Sequence, residues 1–394
     1  MISNKMNQIL TSPSNGVIRK MFEEGIQLKQ KFGAENVFDF SLGNPDLEPP
    51  AELLESLKNI ANDNFHGSHG YMSNAGYPQT RLAMAKKTSL EQGVSVGADQ
   101  IIMSVGAAAA LNCVLKALLN DGDEVLVPAP YFTEYGHYCR NHGGTLVTVK
   151  TKEDFSLDLD AIKASLNNKT AAIIINSPNN PTGKIYTDED IKGLADILKE
   201  HGNKTGRFPY IICDEPYRAI VYDNKKVSAV FPEYPYAVVV TSFAKNLSIP
   251  GERIGYIAVN PANPESKEMV NACILATRIL GFVNAPALFQ RVVTESWDAY
   301  CDYSLYEKRC KELCEILDYA GYKYAKPEGA FYLFVKVPEK WNEDDMAFCD
   351  HLKKFNILTA PGSGFGGNGW FRIAYCVSEQ TILNSKEAFY KANH

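Results

Sequence analysis

The sequence lacks a large net charge of either sign. Its 394 residues include 40 Lys and Arg against 46 Asp and Glu, which gives a formal net charge of −6. Nucleic-acid-binding proteins usually carry a basic face or tail, so this balance argues against nucleic acid as a partner. With 45% hydrophobic and 22% charged residues, the composition is typical of a soluble globular protein. The length predicts two or three domains.

Long hydrophobic runs are also lacking. The N-terminus has no apolar segment of signal-peptide length, and the apolar stretches, such as residues 171–176, are about a third of a membrane span. We therefore expect no membrane partner and a cytoplasmic location. The nine cysteines include no CxxC pair, and an odd number without a secretion signal favours free thiols. No spacing of cysteine and histidine matches a standard metal site, so we predict no metal.

What the sequence does contain is a regular alternation of predicted strands and helices. Short β-branched runs, most of them apolar on both faces, are typical of a mainly parallel sheet covered by helices. They lie at residues 101–105, 124–127, 145–149, 171–176, 209–213, 237–242 and 254–259. We predict an α/β fold in which residues 50–290 form a large domain around this sheet. Residues 1–49 and 291–394 would form a smaller α+β domain, and the ligand would bind at the carboxyl ends of the strands.

Three polar motifs follow predicted strands of this sheet. They are Asn179–Gly183, Asp214–Tyr217 and Ser242–Arg253. Lys245, directly after an apolar strand, is a candidate for forming a Schiff base, because partial burial lowers the pKa of an amine toward neutrality. Asp214 is costly to bury unless a cation faces it, and a protonated pyridine nitrogen would be such a partner.

Two glycine-containing turns are candidates for binding phosphate. The strand-to-helix turn in Ser104–Leu111 would present free N–H groups at the positive end of a helix, although it lacks the GxxxxGK[ST] pattern. The run Pro361–Gly367 contains a dinucleotide-like glycine pattern. The residues that follow it, Trp370–Ala374, alternate like a strand and cannot supply a helix N-terminus, so we reject a nicotinamide site there.

The segments SPNNPTG, SFAKNLSIPGERIGY and PGSGFGGNGWFRIAY resemble motifs of the fold-type I pyridoxal-phosphate enzymes of the class I/II aminotransferase family, the aspartate aminotransferase superfamily. The resemblance extends from Gly43 to Arg372. It implies a pyridoxal 5′-phosphate-dependent enzyme that moves an amino group between an L-amino acid and a 2-oxo acid by a ping-pong mechanism. Aspartate or glutamate with 2-oxoglutarate is the family's default pair, and the sequence leaves the amino acid open.

The resemblance also implies how the cofactor is bound. Lys245 would form the Schiff base and move the substrate proton, and Asp214 would pair with the pyridinium nitrogen. Tyr217 and Asn180 would hydrogen-bond the 3′ oxygen. Phe132 would stack on the ring, with neighbouring Tyr131 as the alternative. The phosphate would be held by Ser242, Arg253 and the backbone of Gly106, Ala107 and Ala108; Ala108 stands where many relatives have a hydroxyl residue.

Arg372 matches the family arginine that binds the substrate α-carboxylate in two parallel bonds, a task that lysine performs poorly. Asn180 would assist it, and Gly43 would let the carboxylate lie against the backbone. Tyr71 resembles the tyrosine that reaches the phosphate of the other subunit, which implies a homodimer with shared active sites. For a second substrate carboxylate, Arg278 and Arg19 are candidates by residue type alone.

Two other functions are compatible with the same resemblance. A C–S β-lyase shares the covalent cofactor linkage and the abstraction of the α-proton, and Arg372 is compatible with both reactions. A pyridoxal-phosphate-binding regulatory module would need a DNA-reading segment ahead of the domain, whereas the family match here begins by about residue 40. The resemblance favours the aminotransferase, because the segments SFAKNLSIPGERIGY and NPTG are most similar to the aminotransferase pattern.

Overall fold

The computed structural model describes residues 2–11, 17–63 and 65–394. The strands are β1 (Phe38–Asp39), β2 (Ile101–Ser104), β3 (Glu124–Ala129), β4 (Thr145–Lys150), β5 (Thr170–Asn176), β6 (Tyr210–Asp214), β7 (Ala237–Ser242), β8 (Gly255–Val259), β9 (Tyr324–Ala325), β10 (Tyr332–Lys336), β11 (Ile357–Leu358), β12 (Ala360–Pro361) and β13 (Trp370–Ala374). The helices are α1 (Asn4–Thr11), α2 (Val17–Phe32), α3 (Ala51–Asn62), α4 (Pro78–Gln92), α5 (Gly106–Leu118), α6 (Tyr135–Asn141), α7 (Leu159–Ser165), α8 (Asp188–Thr205), α9 (Phe243–Asn246), α10 (Ser266–Ile279), α11 (Ala287–Glu295), α12 (Ser304–Tyr319), α13 (Asp345–Leu352), α14 (Glu379–Asn384) and α15 (Lys386–Asn393).

A seven-stranded sheet forms the centre of the large unit. Its strand order is β2-β8-β7-β6-β5-β3-β4, and only β8 runs antiparallel to its neighbours. The predicted α/β fold with a mainly parallel sheet is confirmed. Each of the seven predicted runs became one of these strands, and β7 has the predicted bounds. β6 extends one residue further than predicted, so that Asp214 is its last residue.

The sheet is buried on both faces, because apolar side chains point alternately up and down along its central strands. In β6, Ile211 packs into one apolar cluster and Ile212 into another. Helices cover both faces, as expected for strands that are apolar throughout. Among the described helices, none is long and apolar enough to cross a membrane.

A smaller unit combines both chain ends. It contains the four-stranded sheet β12-β13-β10-β9 and the parallel pair β1-β11. Its apolar cluster joins Phe40 to Phe389, whose ring centroids are 5.9 Å apart. The predicted domain limits stay a prediction, and α11 runs across the predicted boundary at residues 290/291 while packing against α3 and α4.

Candidate active site

The three polar motifs meet at one edge of the large sheet, where neighbouring parallel strands end. β5 and β6 pair with Asn176 opposite Asp214. The Asn176 amide donates to the Asp214 carbonyl at 2.7 Å, and its side-chain oxygen accepts from the Asn180 N–H at 2.7 Å. Asn176 thus ties two of the motifs together, a role that the sequence did not reveal.

Asp214 is a buried carboxyl with one free oxygen. Its Oδ2 accepts a hydrogen bond of 2.5 Å from the hydroxyl of Tyr135, which is fully buried. Its Oδ1 has no hydrogen-bond partner among the described residues. Burial raises the pKa of Asp214 to about 7, although the bond from Tyr135 opposes the shift. A buried carboxyl oxygen without a partner is the feature expected where a cationic ring nitrogen binds.

The pKa of Asp214 makes the stability of the cofactor-free protein depend on pH. The carboxyl ionises near its ordinary pKa of 3.8 when unfolded but near 7 when folded. The folded state therefore binds the proton more tightly, and the free energy of unfolding decreases as the pH rises between these two values. Asp214→Asn, which still accepts from Tyr135, should raise this free energy by on the order of 2 to 4 kcal/mol at about pH 8 and little at about pH 4. Unfolding titrations at both pH values measure this, and an equal effect at both would contradict it.

Lys245 lies in the short helix α9 directly after β7. Its Nζ donates to the Gly43 carbonyl at 2.7 Å and is 5.5 Å from the centroid of the Phe331 ring. Burial, with a smaller contribution from the positive charges of Arg372 and Arg253, lowers the pKa of Lys245 to about 8, although the nearby Cys376 opposes the shift. An appreciable fraction of the amine is therefore unprotonated near neutral pH, as a nucleophilic lysine requires.

Arg372 is a buried cation in β13 with no carboxylate partner among the described residues. Its guanidinium donates to the Asn180 side-chain oxygen at 3.1 Å and to the Ser41 carbonyl at 2.7 Å, and its Nε has no partner. The desolvation of this group lowers its pKa. A buried arginine that faces only neutral groups is suited to binding an anion such as a carboxylate.

Tyr217 lies close to both Lys245 and Arg372. Its ring contacts Phe331 edge-on, with centroids 5.4 Å apart, so it shares Phe331 with Lys245. Its hydroxyl is 2.9 Å from the hydroxyl of Tyr332, a residue that the sequence did not single out. Burial raises the pKa of Tyr217 well above its ordinary value, so its hydroxyl stays protonated at neutral pH.

The predicted phosphate-binding residues also come together. α5 begins at Gly106 with a φ of +78°, and a Cβ at this position would lie 2.9 Å from the Arg253 guanidinium. Gly255, paired with Ser242 across β7 and β8, packs against the Gly106 backbone. Ala107 and Ala108 follow in the first turn of α5, whose N–H groups have no partner within the helix. The result is a helix N-terminus beside an exposed arginine, a suitable site for phosphate.

Phe132 and Tyr71 have different surroundings. Phe132 is half-buried and contacts Tyr135 edge-on at 5.5 Å between centroids, which places it beside the partner of Asp214. The backbone N–H of Tyr131 instead bonds the Phe365 carbonyl at 2.9 Å. The Tyr71 side chain is 93% exposed. It therefore packs against none of the predicted site residues of its own chain.

Comparison with known proteins identifies the family. The sequence profile described as aminotransferase class I and II matches residues 35–389. The chain belongs to this family. Its membership confirms the predicted resemblance and the assignment of the protein as a transferase of the transaminase class.

Individual relatives resemble this aminotransferase over nearly its whole length. It is 32% identical to a probable aspartate/prephenate aminotransferase of Aquifex aeolicus, over 99% of this chain and 98% of that protein. The structure of an amino transferase from Eubacterium rectale is 39% identical with a TM-score of 0.95, covering 100% and 98% of the two chains. An aspartate aminotransferase of Thermus thermophilus with maleate is 26% identical with a TM-score of 0.86, covering 100% and 99%. Family membership implies pyridoxal phosphate as the cofactor.

Proposed function

We propose that this aminotransferase binds pyridoxal 5′-phosphate at the site described above and transfers the amino group of L-aspartate to 2-oxoglutarate. One observation carries the proposal. A single buried site contains an unpaired Asp214 oxygen, an amine of lowered pKa at Lys245 and an Arg372 guanidinium without a carboxylate partner. The choice of aspartate is supported by the names of the relatives from Aquifex aeolicus and Thermus thermophilus.

The residues present fit the cofactor. Asp214 Oδ1 offers an acceptor to the ring nitrogen, and the first turn of α5 with Arg253 and Ser242 offers a phosphate cradle. Phe132 would lie against the ring. When bound, pyridoxal phosphate supplies an electrophilic carbonyl and a ring that withdraws electrons from the substrate α-carbon.

Lys245 and the polar side chains near it would perform distinct tasks. The Lys245 amine would attach to the cofactor and, once displaced by the substrate, hold and move the proton of the α-carbon. Tyr217 would donate a hydrogen bond from its hydroxyl to the 3′ oxygen. The Asn180 side-chain oxygen already accepts from Arg372, so its NH₂ group is the part that donates to the same cofactor oxygen.

Arg372 would bind the α-carboxylate of both the amino acid and the oxo acid. Its Nε, buried and without a partner among the described residues, together with a terminal nitrogen can donate two parallel bonds. Gly43 would let the carboxylate lie against the backbone, because it carries no side chain; the position of a Cβ there is occupied by the Tyr332 hydroxyl, 2.0 Å away. Substrate orientation therefore depends on the smaller unit, which contributes Arg372 and Gly43.

We extend the proposal to a homodimer with shared active sites. Tyr71, 93% exposed, is free to reach a second copy of the chain and bind the phosphate there. The mass measured by light scattering should correspond to two chains, and Tyr71→Phe should weaken pyridoxal phosphate binding. Binding that is unaffected by this change would contradict the role of Tyr71. The cytoplasmic location stays a prediction from the sequence.

The activity is tested with the purified protein and added pyridoxal phosphate. With aspartate and 2-oxoglutarate we expect oxaloacetate and glutamate in equal amounts, and no turnover when the 2-oxo acid is omitted. A panel of amino acids with 2-oxoglutarate tests the choice of donor. Release of pyruvate and ammonia from a cysteine-like donor without any 2-oxo acid would instead identify a β-lyase.

A further inference from the structure

Tyr332 lies between two groups of the site and has no role in the proposed function. It is the first residue of β10 and pairs with Ala374 in β13. Arg372, two residues before Ala374, is therefore its diagonal neighbour on the same face, within reach of an aromatic and a long side chain. The Arg372 guanidinium lies 4.7 Å from the centroid of the Tyr332 ring and 4.7 Å from that of Phe365.

The hydroxyl of Tyr332 contacts the second group, Tyr217. The two hydroxyl oxygens are 2.9 Å apart, and the two rings meet edge-on with centroids 5.5 Å apart. Burial raises the pKa of Tyr332 to about 12, so both hydroxyls keep their protons near neutral pH. Each hydroxyl has one proton to donate. Tyr217 can therefore donate to a cofactor oxygen only if Tyr332 is the donor within the pair.

The position of this hydroxyl depends on Gly43. The space that a Cβ at Gly43 would take is filled by the Tyr332 hydroxyl, at 2.0 Å. The Gly43 carbonyl in turn accepts the bond from Lys245. The backbone at Gly43 therefore packs directly against Tyr332 while it contacts the lysine, which leaves the Tyr332 ring little freedom to move.

We propose that Tyr332 is a positioning residue of the aminotransferase site. Its hydroxyl directs the O–H of Tyr217 toward the 3′ oxygen of the cofactor, and its ring holds the Arg372 guanidinium in place for the substrate carboxylate. The inference rests on the proposed function, since it requires the cofactor at Tyr217 and the carboxylate at Arg372. The two halves of the role are separable, because one belongs to the hydroxyl and the other to the ring.

Tyr332→Phe tests the hydroxyl. A directed Tyr217 hydroxyl stabilises negative charge on the 3′ oxygen and so favours the deprotonated form of the link between cofactor and lysine. We expect the pKa of this link, read from an absorbance titration of the resting holoenzyme, to rise by about half to one unit. The KM for the amino acid should stay within about twofold, because the ring remains beside Arg372.

Tyr332→Leu tests the ring. Loss of the aromatic face beside the guanidinium should raise the KM for both the amino acid and the oxo acid by about tenfold. It should also reproduce the shift of the absorbance titration. A KM that is unchanged relative to Tyr332→Phe would overturn the role of the ring.

Two further variants separate positioning from general loss of structure. Tyr322 is another buried tyrosine of the smaller unit, and its hydroxyl bonds the Phe389 carbonyl at 3.4 Å. Tyr322→Phe should leave the titration and KM unchanged. In a Tyr217→Phe background, Tyr332→Phe should shift the titration no further, since the hydroxyl acts through Tyr217.

The outcomes distinguish this inference from the proposed function. If added pyridoxal phosphate gives no lysine-linked absorbance band in the wild-type protein, the proposed function fails. If the band is present but Tyr332→Phe leaves its pKa unchanged or lowers it, the role of the hydroxyl is overturned. A shift that Tyr322→Phe also shows, or a further shift in the Tyr217→Phe background, overturns it as well.

Discussion

Replacing Lys245 by alanine is expected to reduce turnover by roughly 10³-fold or more, because both the covalent attachment of the cofactor and the movement of the α-proton depend on its amine. The loss should appear in kcat measured with saturating aspartate and 2-oxoglutarate. Pyridoxal phosphate should remain bound through the groups at Asp214 and Arg253, which the substitution does not touch. Equilibrium dialysis against the cofactor measures this retention.

Lys226→Ala provides the matched control. Lys226 is an exposed lysine on the loop after Tyr222 and lies outside the strand ends that form the site. Its replacement should leave kcat and cofactor binding unchanged. Full residual turnover in Lys245→Ala would refute the role of Lys245, and a comparable loss in Lys226→Ala would show that the assay reports something other than the site.

Arg372→Ala is expected to raise the KM for both the amino acid and the oxo acid by about 100-fold, the effect of losing two charge-assisted hydrogen bonds to a carboxylate. Arg372→Lys keeps the charge but cannot donate in parallel, so it should recover only part of the loss. Steady-state kinetics with each substrate varied in turn give both values. The kcat should fall less than kcat/KM, because the chemistry depends on Lys245.

Arg207→Ala is the control for this series. Arg207 precedes β6 at the opposite end of the strand from Asp214, and it pairs with Asp123 at 2.8 Å. Its loss should affect stability alone. An unchanged KM in Arg372→Ala, or a rise for only one of the two substrates, would remove its proposed role.

The sequence predicted those parts of the site that follow buried strands. Residues 209–213 and 237–242 are apolar runs of strand length, so the polar residues that follow them were expected at the ligand-binding edge of a parallel sheet. That reasoning predicted that Lys245 and Asp214 lie at the same edge. Roles at single positions came from the resemblance, because composition and periodicity do not assign them.

Residues that act through tertiary contacts were missed. Tyr135 bonds Asp214 across 79 positions in the sequence, and Tyr332 bonds Tyr217 across 115. Tyrosines are common in buried cores, and the register of β10 against β13 cannot be read from their patterns. For Tyr135 the sequence offered one weak indication. It lies three residues after Phe132, a predicted cofactor-binding residue, at the start of a short helix. The carbonyl of Ser41, which accepts from Arg372, offered none because every residue has one.

The covalent role of Lys245 is tested most directly by chemical reduction of the holoenzyme followed by peptide mapping. Borohydride fixes a pyridoxal phosphate that is linked to a lysine, and mass spectrometry of the digest locates the modified residue. We expect the label on Lys245, and Lys245→Ala should carry none at position 245. A label on a different lysine of the wild-type protein, or no label at all, would contradict this role.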